Sequence, residues 1–137
     1  MGVRVMSSAA QSDHEQKRIS PNLIENTEYC KQVMGQSNDL MIRPLQCLHK
    51  WPSILLYMDG LVDVQILNQA ILGSLLQTHN LPAFSAEDER LSYLQNDILA
   101  ASDVLLVENI QDVLNALLSG SAVLLIEGST KGLKIGA

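Results

Sequence analysis

The sequence predicts an α/β fold, a mixed β-sheet with helices packed on it in a single small domain. Two kinds of segment carry that reading. Continuous apolar runs at Ile54 to Met58 and Ala122 to Ile126 are closed off by Pro52, Asp59-Gly60, Gly120 and Gly128, the pattern of buried strands bounded by breakers. Around them, apolar residues recur three and four positions apart behind side chains suited to capping a helix. The two kinds of segment alternate without an internal repeat, and such alternation places helices on a sheet.

Residues 1–19 are polar and lack apolar periodicity, the composition of a disordered leader, so the ordered domain is expected over 20–137. Ser20-Pro21-Asn22 opens the first helix, with Pro21 at a first-turn position where its missing N–H costs nothing. Glu25 and Glu28 lie near the positive end of its dipole. Leu23, Ile24, Thr27, Cys30, Val33 and Met34 form its inner stripe, and Gly35 ends it. Leu40 to Leu45 reads as a strand, and Pro44 places it at an edge or a bulge. The short polar link through His49-Lys50 makes an antiparallel hairpin with the next strand more economical than a crossover.

That next strand, Ile54 to Met58, leads through Asp59-Gly60 to Asp63. Asp63 is a natural N-cap for a helix whose inner face holds Ile66, Leu67, Ala70, Ile71, Leu75 and Leu76. Gly60 is expected at positive φ, since the chain leaves a strand and enters a helix within a few residues. Thr78 to Pro82 breaks the pattern, Ser85 and Asp88 have capping-box spacing, and Leu91, Leu94 and Ile98 line a further helix. Val104 to Val107 is a short strand or buried coil, and periodicity does not decide between them. Asn109 and Asp112 cap a third core helix with Val113, Leu114, Leu117 and Leu118 inward and Gly120 at its end. After Ala122 to Ile126, the turn Glu127 to Gly132 leads into an apolar stub over Leu133 to Ala137. That stub reads as the start of a strand with one edge open, so the chain is expected to self-associate or to be only marginally stable.

A net charge of -6 and a pI near 4.8 argue against nucleic acid or an anionic lipid surface as partner. Cys30 and Cys47 have no CxxC spacing, and free thiols in a reducing compartment are the expectation. The apolar runs are strand-sized and the N-terminus has no long apolar core, so a soluble chain without a transmembrane segment is expected.

The candidates for chemistry have structural explanations. Gly120, Gly128 and Lys131 do not meet the Gly-x4-Gly-Lys-Ser/Thr spacing of a phosphate loop, which leaves the glycines as turn formers. Cys47 and His49 lack two further ligands for zinc. Asp39, Asp59 and Asp63 are each accounted for as turn or cap acceptors, and no Asp-x-Asp-x-Asp-Gly loop is present. No Gly-x-Ser-x-Gly occurs. Arg43, among apolar strand neighbours, either pairs with Asp39 or Asp59 or snorkels from an edge strand. No enzyme, cofactor or metal is expected.

The runs NLIENTEYCKQVMGQSNDLMIRPL, LLYMDGLVD and VLNALLSGSAVLLIEG, in this order, resemble the start of the A subunit of spore germination receptors, the GerA family. The resemblance extends over Pro21 to Ala137. It is carried by Ser37, Asp39 and Arg43, by Tyr57, Asp59, Gly60, Leu61, Val62 and Asp63, and by Leu118, Ser119, Gly120 and Gly128. It implies the first subdomain of a soluble N-terminal domain, here cut short, on the cytosolic side of the spore inner membrane. It also implies B and C subunits as partners and a part in nutrient-triggered germination as a non-enzymatic interaction and sensing module. The alternatives are a domain binding an amino acid or sugar, and the related family protein of the dipicolinic acid channel system.

Overall fold

In the computed structural model, residues 17–35, 38–47, 50–63, 65, 67–68, 87–98 and 103–136 are described. Among them, α1 spans Leu23–Val33, β1 Leu40–Cys47, β2 Trp51–Met58, α2 Glu87–Tyr93 with a π-helical turn over Leu94–Ile98, and β3 Asp103–Val107. Then come α3 over Ile110–Leu118, β4 over Ala122–Ile126 and β5 over Gly132–Gly136. The leader through residue 16, and most of the helix expected after Asp63, lie outside the described residues.

The five strands form one sheet in the order β1-β2-β4-β5-β3. Each neighbouring pair is antiparallel, not mixed as expected. The reason is a crossover that skips a place. α3 joins β3 to β4, which run in the same direction, but β5 inserts between them antiparallel to both. β1 and β2 form the expected hairpin, with Leu40 opposite Met58 and Cys47 opposite Trp51. Pro44 is accommodated because β1 is an edge strand, where a missing N–H need not serve a second neighbour.

The C-terminal stub is where expectation and structure part most clearly. β5 is paired on both sides, to β4 and to β3, so it leaves no open edge. The segment Val104 to Val107, undecided from periodicity, is the strand that covers it. Among the described residues the edge strands are β1 and β3, and the argument for self-association from an open C-terminal strand falls.

Strand alternation sends side chains to two cores. Trp51 and Leu55 of β2 join Leu124, Ile126, Leu133, Leu91 and Leu94 on one face. Ile54, Leu56 and Met58 join Val123, Leu125 and the inner side chains of α1 and α3 on the other. The central strands are buried on both faces, which is why they read as unbroken apolar runs rather than alternating ones. The chain is thus a small α/β domain.

Three local expectations are corrected. Pro21 precedes the helix, whose cap is Asn22, accepting from the N–H groups of Ile24 and Glu25. Ile24 is 74% exposed and Leu118 60% exposed, so neither belongs to an inner stripe. Helix α1 buries Asn26 and Cys30, and of the expected stripe Leu23, Cys30, Val33 and Met34 do face the second core, joined by Asn26 and Tyr29. Finally, the end of the expected leader is packed. Ile19 is buried in the second core, its N–H bonds the Glu108 carbonyl at 3.2 Å, and the Lys17 carbonyl takes the Ile110 N–H at 2.8 Å. That carbonyl serves one of the donors a helix start leaves open.

Candidate functional site

Five of the eight residues singled out from the sequence meet at one end of the sheet, where β1 begins, β2 ends and β4 begins. The Asp59 N–H donates to the Asp39 carbonyl at 2.7 Å, closing the mouth of the hairpin. Leu61 and Val62 both donate to the Met58 carbonyl, at 3.1 and 3.2 Å, around Gly60 at φ 87°. The positive φ expected there is observed, and it suits a residue without a Cβ.

Gly120 completes the corner from the other side. After α3, Ser121 N–H donates to Ala116 O at 3.0 Å and Gly120 N–H to Leu117 O at 3.2 Å, the paired bonds of a Schellman ending. Gly120 has φ 91°, and a Cβ added to it would lie 2.8 Å from the Leu61 carbonyl oxygen. The two glycine turns therefore touch, and the second has no room for a side chain.

Asp63 stands where the chain leaves the corner. Its Oδ1 accepts from the Gln65 N–H at 3.0 Å and its carbonyl from Leu67 at 2.9 Å, the geometry of an N-cap. Replacing Asp63 by Ala is expected to cost roughly 0.5–2 kcal/mol in denaturant unfolding, with Asn recovering most of it because the amide oxygen also accepts. If Asn proves as damaging as Ala, the carboxylate charge and not capping is what matters.

The other three candidates are elsewhere. Tyr57 is half-buried and packs against the first core. Arg43 lies on β1 opposite Leu55 and is exposed, so its guanidinium carries no burial cost that a partner must offset, and the snorkelling reading fits. Gly128, at φ 88°, sits at the opposite end of the sheet.

That opposite end holds contacts that no local sequence signal announced. The Glu127 carboxylate accepts the Leu23 N–H at 3.0 Å, at the start of α1, where negative charge is favoured. The Gly128 N–H donates to Pro21 O at 2.8 Å and the Glu127 N–H to Pro52 O at 2.9 Å. Arg90 donates to the Glu127 carbonyl at 3.4 Å and lies over the Trp51 ring. Nearby, buried Asn26 grips the backbone of Ser20 twice, with Oδ1 accepting at 2.8 Å and Nδ2 donating at 2.7 Å. These groups tie the entering chain, β2, α2 and the β4–β5 turn together, a structural role.

Cys30 and Cys47 are both buried and free, on opposite faces of the sheet. Burial pushes the Cys30 thiol from 9.0 up to about 11 and the Cys47 thiol up to about 12. The neutral thiol is the form the fold favours. Below pH 9 both folded and unfolded chains hold these protons, so nothing is lost. As pH climbs from 9 toward 11 the unfolded chain gives them up first, and stability falls. A thiol reagent at pH 8 is expected to leave both cysteines unmodified until denaturant is added. Fast reaction in native buffer would contradict the burial. Among the described residues no group of three or more His, Cys, Asp or Glu side chains is placed to hold a metal ion.

The family model described as Bacillus/Clostridium GerA spore germination protein matches residues 28–137. The chain is similar to the uncharacterized membrane protein YfkQ of Bacillus subtilis strain 168, with 29% identity over 126 residues, 88% of this chain and 23% of YfkQ. Its fold is similar to the crystal structure of the N-terminal domain of the A subunit of the Bacillus megaterium spore germinant receptor GerK3. There the TM-score is 0.72 at 25% identity, covering 88% of this chain and 48% of that one. The chain thus spans less than a quarter of the first relative and about half of the second. With the family match running through both strands of the hairpin, the glycine corner and the last two strands, this chain belongs to the GerA family of spore germination proteins.

Proposed function

We propose that this chain is the N-terminal module of a spore germination receptor A subunit, working by interaction and sensing and not by catalysis. The observation that carries the reading is the shared fold with a receptor A-subunit N-terminal domain over most of this chain. Spanning about half of that domain, the chain fits its first subdomain. The geometry supports the non-catalytic part. The polar side chains described at the corner and at Glu127 act as caps, turn acceptors and ties, and the two thiols are buried and held protonated.

In this reading the partners are the B and C subunits, and the module lies on the cytosolic side of the spore inner membrane. Among the described residues no helix is long and apolar enough to cross a membrane.

The test is deletion of the gene from the spore former that encodes it, with complementation by the full-length protein. Dipicolinic acid release is followed with amino acids and with sugars. Loss of response to at least one nutrient, restored by the gene, is expected. Unchanged responses to every nutrient would overturn the reading. A companion measurement places the sensing step: a nutrient that binds this module raises its stability by about 2.7 kcal/mol at 100 times Kd. Absence of any thermal shift places recognition outside this module.

A further inference from the structure

We draw no further inference here: the strongest candidate, the groove between α3 and the edge strand β3 that Leu105, Leu106, Asp112, Asn115, Ser119 and Lys134 line, carries nothing, because the chain spans only about half of the solved domain it matches and nothing in the structure shows what covers this face.

Discussion

Gly120→Ala is expected to destabilise the domain by about 2–5 kcal/mol, well beyond Gly60→Ala, although both glycines have φ near +90°. The left-handed backbone alone costs an L-residue roughly 1–2 kcal/mol at either site. At Gly60 that is the whole effect, because an added Cβ meets nothing within 4 Å. At Gly120 the Cβ would lie 2.8 Å from the Leu61 carbonyl oxygen, and that atom is backbone in a turn held by two hydrogen bonds. The turn must shift, which adds about 1–3 kcal/mol in the manner of overpacking. Asn separates the two terms. It tolerates left-handed backbone, so Gly60→Asn should recover most of the loss and Gly120→Asn should not. Denaturant midpoints of the four variants decide the matter. Equal costs at the two positions would mean that the glycine turns do not touch.

How far such a corner is legible in a sequence depends on how local its causes are. Asp63 and Asn109 are legible as helix openers because a cap acts on N–H groups two or three residues away, and the structure puts both at such a start, whereas the first helix is capped by Asn22, one residue beyond Pro21. Gly60 at positive φ follows as locally, from a strand meeting a turn. The contact between Leu61 and Gly120 does not, because the residues are far apart in sequence and their meeting depends on β2 and β4 being neighbours. Glu127 on the Leu23 N–H, 104 positions away in the chain, is hidden for the same reason.

Periodicity failed in a different way at Ile24 and Leu118. A helical pattern tells which residues are apolar on one side, but the width of the covered stripe is set by what packs there. Asn26 shows the converse. A polar residue in the inner row looks like an interruption until the Ser20 backbone supplies both of its hydrogen-bond partners. The long helix expected after Asp63 lies mostly outside the described residues.

Leu133→Ala is expected to cost about 2–5 kcal/mol, while Leu105→Ala changes stability by less than about 0.5 kcal/mol. The pair tests the order of the sheet. In the sequence reading Leu133 opens a strand with a free edge and Val104 to Val107 is undecided. The structure reverses the roles. Leu133 is fully buried, opposite Leu124 on one side and Leu106 on the other, whereas Leu105 is 56% exposed on the edge strand. Truncating Leu133 opens a cavity that flanking strands fixed by hydrogen bonds cannot collapse to fill. Against a typical domain stability of about 5–15 kcal/mol, the loss brings the variant close to unfolding. Hydrogen exchange gives a second, substitution-free readout. Amides of Leu133, Lys134 and Ile135 have a strand on either side to bond to, so all three should exchange slowly, but on β3 only alternate amides face a partner and the rest should exchange fast. Equal protection along β3, or a tolerant Leu133, would place β5 back at the edge.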